Sequence, residues 1–384
     1  MSWEKKSIKD FAEVYDGPHA TPKESDRGPI FLGIKNLKPG GGIDLSDIRY
    51  ISDREFEQWT KRVTPRKNDI VLSYEATLHR YAIIPENFIG CLGRRMALVR
   101  VNEDIVCHKF IYYTFLSDVW RGFIDANKLT GATVDRISIT DFPGYEINLP
   151  PFPTQRRIAS ILSAYDELIE NNLRRVKLLE ERARLRYKEI VRGEKMETMK
   201  LKELASVNQL TLKLTSNLDK ILYVDISSVS TGNIDSKTEF ELKDAPGRAK
   251  RILKHEDIIW SCVRPNRKSY SIVWMPEENL IASTGFAVIT ANGIPSTFLY
   301  QIATANEFVN YLENHAKGAT YPAVTAADFE EALISIPRKK LMEEYHEEIY
   351  PFFDLKNNLH QQNAKLREAR DILLPRLMSG EIVV

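Results

Sequence analysis

The chain carries two copies of one sequence plan, and this internal repeat constrains the fold more than any other feature. The sequence Gly-Ala-Thr at residues 131–133 recurs at 318–320, and Asp-Phe at 141–142 recurs at 328–329, in both cases 187 positions later. Repetition of this kind indicates structural units that fold alike and must be weighed before any local motif. The repeat predicts two similar globular segments, each followed by a long charged helical stretch.

Short apolar runs also recur between the copies, which indicates strands and helices mixed in each. Residues 69–73 (Asp-Ile-Val-Leu-Ser) match residues 257–261 (Asp-Ile-Ile-Trp-Ser). Runs rich in branched side chains are typical of buried strands. Residues 109–127 instead carry aromatic and aliphatic side chains at helical spacing, which predicts a core helix rather than an aromatic ligand site.

Two further segments predict long helices with a narrow apolar stripe. Residues 154–191 contain neither Gly nor Pro, and apolar residues recur there every seven positions, as they do over 352–373. The stripe residues are Leu162, Ile169, Val176 and Leu179 in the first segment and Phe352, Leu359, Leu366 and Leu373 in the second. A seam of this kind lets two helices pack against each other. The alternative is that each helix packs on its own globular domain.

Together these patterns predict an α+β chain with a pseudo-two-fold internal repeat. Two globular mixed α/β domains would be joined by two long antiparallel helices that form a coiled-coil rod. The predicted segments are a first globular domain at 1–150, a central helix at 151–193, a second globular domain at 194–338 and a C-terminal helix at 339–384. Because a helix rises about 1.5 Å per residue, each would span roughly 50 Å. Such a chain would hold two binding surfaces a fixed distance apart.

The composition is that of an ordinary globular protein. The chain has 384 residues, enough for two domains, with 43% hydrophobic and 28% charged residues. We expect no secretory signal and no membrane-spanning helix, because no apolar run is long enough. The three cysteines are widely spaced and form no C-x-x-C pair, so we expect reduced thiols, no zinc site and a cytoplasmic location.

The net charge of +1 argues weakly against a strong non-specific nucleic-acid binder, but a neutral total can hide basic patches. Basic clusters fall at similar places in both halves, although solvated surface charge is an equally simple interpretation of each. No catalytic motif is evident. Residues 150–152 (Pro-Pro-Phe) look like part of an adenine-methyltransferase motif, but Leu149 replaces the polar residue that the chemistry requires. A stand-alone methyltransferase or nuclease is therefore disfavoured.

Three sequence features carry a family resemblance. Residues 149–158 (Leu-Pro-Pro-Phe-Pro-Thr-Gln-Arg-Arg-Ile) precede the first long helix, residues 373–382 (Leu-Leu-Pro-Arg-Leu-Met-Ser-Gly-Glu-Ile) end the second, and residues 33–37 lie in a segment similar to one class of target recognition domain. Jointly they resemble the specificity subunit of type I restriction-modification systems over essentially the whole chain. One departure is that residues 339–342 (Lys-Lys-Leu-Met) replace the expected start of the second helix.

The resemblance implies a non-catalytic subunit that binds double-stranded DNA. Each target recognition domain would read one half of an asymmetric bipartite site, and the paired helices would fix the unread spacer and dock two methyltransferase (modification) subunits. Motor and endonuclease (restriction) subunits would complete the assembly, with no membrane partner. The chain itself would bind no cofactor, whereas its partner subunits would use S-adenosylmethionine, ATP and magnesium. The alternative is a coiled-coil protein–protein adaptor without direct DNA readout.

Candidate DNA contacts are residues near the ends of the matched strands. Lys and Arg suit phosphates, while Arg, Lys and Asn suit base edges. The predicted contacts are Tyr74, Arg80, Arg94, Arg95 and Thr133 in the first half, and Arg264, Asn266, Arg267, Lys268, Tyr270 and Thr320 in the second. Thr133 and Thr320 follow the repeated glycines, whose backbone amides could bind phosphate. Surface loops and structural turns without a DNA role remain the alternative for these segments.

Overall fold

The computed structural model describes residues 3–129, 134–213 and 218–384. The chain divides into two compact units. Unit 1 comprises Met1–Glu170 with Asn363–Val384, and unit 2 comprises Asn171–Gln362. Each long helix therefore contributes to both units, because the division falls within the helices rather than at the ends of the globular segments.

Unit 1 contains nine strands and three shorter helices, counted over its described residues, together with the first part of a long helix. The strands are β1 (Glu4–Ser7), β2 (Ala12–Asp16), β3 (Ser25–Leu32), β4 (Arg49–Tyr50), β5 (Ile70–Ser73), β6 (Tyr81–Ile83), β7 (Gly90–Leu92), β8 (Met96–Val101) and β9 (Glu146–Leu149). The helices are α1 (Asp53–Trp59), α2 (His108–Leu116), α3 (Asp118–Ala126) and the long α4 (Phe152–Gly193). The sheets have the strand orders β2-β8-β5-β6, β4-β3-β7 and β1-β9.

Unit 2 repeats this plan with three additional strands, two of which form a hairpin. Its strands are β10 (Glu197–Lys200), β11 (Ala205–Val207), β12 (Lys220–Val224), β13 (Val229–Ser230), β14 (Asn233–Ile234), β15 (Thr238–Glu241), β16 (Ala249–Ile252), β17 (Ile258–Ser261), β18 (Tyr270–Ile272), β19 (Leu280–Ser283), β20 (Phe286–Ala291) and β21 (Leu333–Ile336). Its helices are α5 (Ser296–Thr304), α6 (Asn306–His315), α7 (Ala326–Glu330) and the long α8 (Lys339–Met378). The sheets have the orders β11-β20-β17-β18, β15-β12-β19-β16, β10-β21 and β13-β14.

The matched sequence runs form the same central strand in both units, so the predicted repeat is confirmed. β5 lies between β8 and β6, and β17 lies between β20 and β18, in antiparallel register. A buried aspartate precedes each strand: Asp69 accepts the Arg66 amide at 2.8 Å, and Asp257 accepts the Lys254 amide at 2.7 Å. Each carboxylate thereby fixes the turn that leads into its strand.

Both central strands are apolar along their whole length because both of their faces are covered. Ile70 and Leu72 pack into a cluster with the side chains of α2 and α3, while Val71, on the opposite face, packs with the second sheet of unit 1. In unit 2, Trp260 and Ile259 divide in the same way between two clusters. Successive side chains of a strand point to opposite faces, so a continuous apolar run requires two buried faces.

The long helices pair antiparallel within each unit. In unit 1, Asn363 Nδ2 donates to the Ile169 carbonyl at 3.5 Å, and Arg370 reaches Asp166 at 2.6 Å. As the residue number rises along α8, the number of its partner on α4 falls. The same holds in unit 2, where Glu348 of α8 accepts from Arg186 of α4 at 2.8 Å and Lys356, further along α8, forms an ion pair with Glu180. The predicted antiparallel pairing is confirmed.

The stripe residues are not all buried to the same degree. The structure buries Leu162, Ile169, Val176 and Leu359, and half-buries Leu179, Phe352, Leu366 and Leu373. A second set of α8 residues at seven-residue spacing, offset by four positions from the predicted stripe, also faces α4. It mixes apolar and polar side chains, and the sequence pattern did not predict it. These residues are Met342, Ile349, Lys356, Asn363, Arg370 and Leu377. Hydrophobic periodicity cannot detect a seam position that is polar, although such positions are common in paired helices.

Candidate nucleic-acid interface

Two segments of unit 2 that are far apart in sequence meet beyond the end of β17. We call residues 262–269 and 316–325 the unit 2 reading loops. The Arg264 amide donates to the Pro322 carbonyl at 2.7 Å, and the Val324 amide donates to the Cys262 carbonyl at 2.9 Å. Arg264 Nη2 also donates to the Thr320 carbonyl at 3.3 Å. The structure thus brings together two predicted contacts, Arg264 and Thr320.

Backbone conformation and ring contact both fix the direction of Arg264. Its φ of 51° and the φ of 55° at Lys268 are left-handed, and they flank a short 3-10 helix, Pro265–Arg267. The Arg264 guanidinium lies over the Tyr321 ring, 4.6 Å from its centroid. Left-handed conformations in residues other than glycine are uncommon and need support from the surrounding structure. Here the hydrogen bonds from the Arg264 amide to Pro322 and from the Val324 amide to Cys262, together with the Tyr321 ring, provide that support.

Tyr321 is a surface aromatic that the sequence reading missed. Its side chain is 66% exposed at the tip of its loop, directly after the repeated Gly-Ala-Thr. The matching residue of unit 1 is Val134, which is also exposed. The sequence did contain one sign of this residue: a large side chain, Val134 or Tyr321, directly follows each copy of Gly-Ala-Thr. An exposed ring beside an arginine offers a face on which a base or sugar can stack.

The predicted contacts of unit 2 divide into surface and core residues. Asn266, Arg267 and Thr320 are exposed, and Arg264 and Lys268 are half-buried. Tyr270 is buried, with its ring centroid 5.0 Å from that of Trp260, and burial raises the pKa of its hydroxyl. Its prediction as a DNA contact is corrected: Tyr270 is already the first residue of β18, and its side chain points into the core rather than out from the loop.

The unit 2 reading loops are electropositive. They contain Arg264, Arg267, Lys268 and Lys317 and no Asp or Glu. The exposed Arg248 lies next to them, because its carbonyl accepts the Thr284 amide at 2.8 Å and the neighbouring Gly285 carbonyl accepts the Cys262 amide at 2.8 Å. A local cluster of one charge sign raises the concentration of a polyanion at the surface even when the net charge of the chain is close to zero.

Unit 1 builds the same loop arrangement with different side chains. We call residues 74–80, 93–95 and 134–137 the unit 1 reading loops. The Ala76 amide donates to the Asp135 carbonyl at 2.8 Å, and the Tyr74 amide donates to the Arg95 carbonyl at 3.2 Å. Ala76 has a left-handed φ of 68° and occupies the position that Arg264 has in unit 2. The two predicted segments of this half, around Tyr74 and around Arg95, are therefore adjacent.

The predicted contacts of unit 1 likewise include both surface residues and a core residue. Arg94 is exposed, Arg80 is half-buried, and Arg95 is half-buried with an ion pair to Glu75 at 3.1 Å. Tyr74 is buried, and burial together with the adjacent Asp16 carboxylate raises the pKa of its hydroxyl. Its prediction as a DNA contact is corrected, because the ring belongs to the unit 1 core. Thr133 lies outside the described residues.

Arg136 is an exposed cation of the unit 1 reading loops that the sequence reading missed. It pairs through its backbone with Glu75, and the carboxylates of Glu75 and Asp135 give these loops a mixed charge. The two units thus present one backbone arrangement with different chemistry. Within residues 3–129, 134–213 and 218–384, no group of three or more His, Cys, Asp or Glu side chains is placed to hold a metal ion. Over the same residues, no helix is both long and apolar enough to cross a membrane.

The family model described as the type I restriction modification DNA specificity domain matches residues 1–181 and 193–366. The chain belongs to this family. It is 24% identical to the type I restriction enzyme MjaIX specificity subunit of Methanocaldococcus jannaschii, over 100% of this chain and 94% of that protein. It is 26% identical to the HindI specificity subunit of Haemophilus influenzae over 43% of this chain and 38% of that protein.

A solved structure shares the fold. The type I restriction-modification system S subunit from M. genitalium superposes with a TM-score of 0.60 at 17% identity, covering 98% of this chain and 96% of that one. The two segments that the family model matches, residues 1–181 and 193–366, each contain one copy of the internal repeat. As a member of the specificity family, the chain works in DNA recognition within a restriction-modification system.

Proposed function

We propose that the two units each read one half of an asymmetric bipartite DNA site through their reading loops. The observation that carries this proposal is that both units present the same loop arrangement at the end of the same strand, with different side chains on it. Ala76 in unit 1 corresponds to Arg264 in unit 2, and Val134 corresponds to Tyr321. Because base readout depends on side-chain donors and acceptors, different side chains on one scaffold recognise different sequences.

Arg264 is the residue best placed for base readout in unit 2. Contacts with Thr320 and Tyr321 hold its guanidinium, which lowers the entropy lost when it binds. A guanidinium presents paired donors that match O6 and N7 of guanine in the major groove. The exposed Arg267 and Asn266 lie on the adjacent short helix and suit phosphate and base-edge contacts respectively.

We infer that the long helices, which pass from one unit into the other, set the number of unread base pairs and dock two modification subunits. Restriction subunits would join this assembly through the modification subunits. The chain would act without a cofactor of its own, while partner subunits would use S-adenosylmethionine, ATP and magnesium. The charged exposed faces of α4 and α8 support this role, because they leave the helix surfaces opposite the seam available to partners.

The test is co-expression of the chain with the modification subunit from the same source, followed by mapping of N6-methyladenine in the host DNA. We expect methylation at one asymmetric site made of two short sequences separated by a fixed spacer. The double variant R264A/R267A should lose methylation at that site or relax one half of it. The matched control K243A, an exposed cation outside the reading loops, should leave the site unchanged.

Two outcomes would overturn the proposal. Methylation identical with and without the chain would indicate a protein–protein adaptor with no part in DNA readout. An unchanged site in R264A/R267A would show that the unit 2 reading loops do not read DNA.

A further inference from the structure

Lys356 occupies a seam position of α8 at which an apolar residue would be expected. It lies one heptad after Ile349 and one before Asn363, and the residue is only 9% exposed. Its ammonium group forms an ion pair with Glu180 of α4 and donates to the Gly232 carbonyl at 2.8 Å. A buried charge is costly unless its hydrogen-bonding capacity is satisfied. The carbonyl of Gly232 belongs to neither helix, so this lysine joins the helix pair to another part of unit 2.

Gly232 lies in the turn between β13 and β14, and this turn also contacts the reading loops. Its amide donates to the Tyr270 carbonyl at 2.8 Å, and Thr231 Oγ1 donates to the Lys268 carbonyl at 3.0 Å. Gly232 has a φ of 80°, a conformation that favours glycine. One turn therefore bonds the helix seam on one side and, on the other, Lys268 of a reading loop and Tyr270, the first residue of the strand that follows it.

We propose that Lys356 is a positioning residue that holds the unit 2 reading loops in a fixed direction relative to the helix pair of its own unit. This inference rests on the proposed function, because it assumes that those loops read DNA. Lys356 itself does not touch DNA in this account. It acts through the Gly232 carbonyl, and the same turn bonds Tyr270 through the Gly232 amide and Lys268 through the Thr231 hydroxyl, so each link is a hydrogen bond to a backbone carbonyl. Backbone partners keep the geometry independent of the loop side chains, which can then differ freely.

Unit 1 makes the corresponding connection through a tyrosine of α2 rather than through a hydrogen bond from a seam lysine. The Gly42 amide donates to the Tyr81 carbonyl at 3.0 Å, as Gly232 does to Tyr270. The turn rests on Tyr112 of α2, whose hydroxyl contacts the Gly42 backbone. Gly41 has a φ of 102°, and a β-carbon there would stand 2.2 Å from that hydroxyl. The turn is thus closely packed in both units, but among the described residues a seam side chain donates a hydrogen bond directly to the turn in unit 2 alone.

This asymmetry gives a selective test with the full chain bound to its modification subunit. The probe is a DNA duplex that carries the methylated site, together with duplexes that carry single substitutions in each half-site. The half read by unit 2 is the one in which R264A lowers discrimination between bases. Lys356→Met keeps the length of the side chain and removes its charge and donors, so it should still fill the seam.

We expect K356M to weaken binding of the specific duplex about tenfold, the effect of losing one charge-assisted hydrogen bond. The discrimination against substitutions should fall in the unit 2 half-site and stay unchanged in the unit 1 half-site. K356R should restore part of that discrimination because it keeps the charge and the donors. The matched control K188M, an exposed lysine of α4 in the same unit, should behave like the unchanged chain.

A second variant approaches the same connection from the other side. Thr231→Val removes the hydroxyl that bonds the Lys268 carbonyl and leaves the seam intact, so it should lower discrimination in the same half-site. Equal weakening of both half-sites in K356M would assign the lysine a merely structural role and overturn the inference, as would unchanged discrimination in both variants. If the unchanged chain selects no bipartite sequence at all, the proposed function fails instead.

Discussion

The ion pair between Arg370 and Asp166 provides a quantitative test of the helix pairing in unit 1. Arg370 Nη1 lies 2.6 Å from Asp166 Oδ1, and the side chains are only 19% and 32% exposed. Asp166 also accepts the Tyr113 hydroxyl at 2.6 Å. Side chains of α8 and α2 thus both bond one carboxylate of α4. The substitutions are Arg370→Met, which keeps the aliphatic volume, and Asp166→Asn, which keeps an acceptor for Tyr113.

The expected magnitude follows from the partial burial of the pair. Two unit charges about 4 Å apart attract by about 4 kcal/mol at an effective dielectric constant near 20, and desolvation offsets much of this. Exposed pairs retain only about 0.2–1 kcal/mol. We therefore expect R370M to lower the free energy of unfolding of unit 1 by about 2 kcal/mol. The coupling energy from the double-mutant cycle should be about 1.5 kcal/mol.

The assay is urea unfolding followed by hydrogen exchange of unit 1 peptides, because a signal from the whole chain would mix the two units. The matched control is the cycle on Lys5 and Glu146, an ion pair between β1 and β9 whose side chains are 64% and 49% exposed. Its coupling should stay below about 0.5 kcal/mol. A coupling at Arg370–Asp166 no larger than that of the control would refute the reasoning.

Three further predictions concern the seam, the pH dependence and the reading loops. Leu162→Ala removes a fully buried seam side chain and should lower the free energy of unfolding by about 3 kcal/mol, whereas Leu168→Ala on the exposed face of α4 should change it by less than about 0.5 kcal/mol in the same urea assay. Lys200 and Lys202 lower the pKa of Glu331 to about 2, so its contribution to stability is present above its ordinary pKa and is lost as the pH falls towards 2. The difference in unfolding free energy between the unchanged chain and E331Q should therefore shrink between pH 6 and pH 2, and a difference that grows on acidification would contradict the assignment. Arg267→Ala should reduce the slope of log affinity against log salt by about one if the side chain contacts a phosphate, and an unchanged slope would exclude that contact.

Much of the architecture could be predicted from sequence because it depends on patterns that repeat. The internal repeat, the apolar strands and the seven-residue stripe all follow from local periodicity, and these indicated two similar units and an antiparallel helix pair. The polar seam positions could not be found in this way. Lys356, Asn363 and Arg370 are polar side chains within a helix seam, and their partners become evident only once the second helix is in place.

In the candidate site, too, some residues could be placed from sequence and others could not. The sequence placed candidate contacts near the ends of the matched strands, and the structure brings two of them, Arg264 and Thr320, together there. Tyr74 and Tyr270 were assigned to the surface because the exact residue at which a loop meets the strand is not evident from composition. Tyr321 was missed because a single exposed aromatic has no periodicity, and its contact with Arg264 joins residues 57 positions apart (321 − 264).

The central claim is that each unit reads one half-site and that the paired helices set the distance between the halves. The most direct measurement is methylation mapping with a chain that carries a seven-residue insertion in both helices, after Glu170 in α4 and after Gln362 in α8. One heptad preserves the seam and lengthens each helix by about 10 Å, which corresponds to at most about three base pairs along DNA. The account predicts unchanged half-site sequences with a spacer lengthened by up to that amount. An unchanged spacer, or altered half-sites at the original spacing, would contradict it.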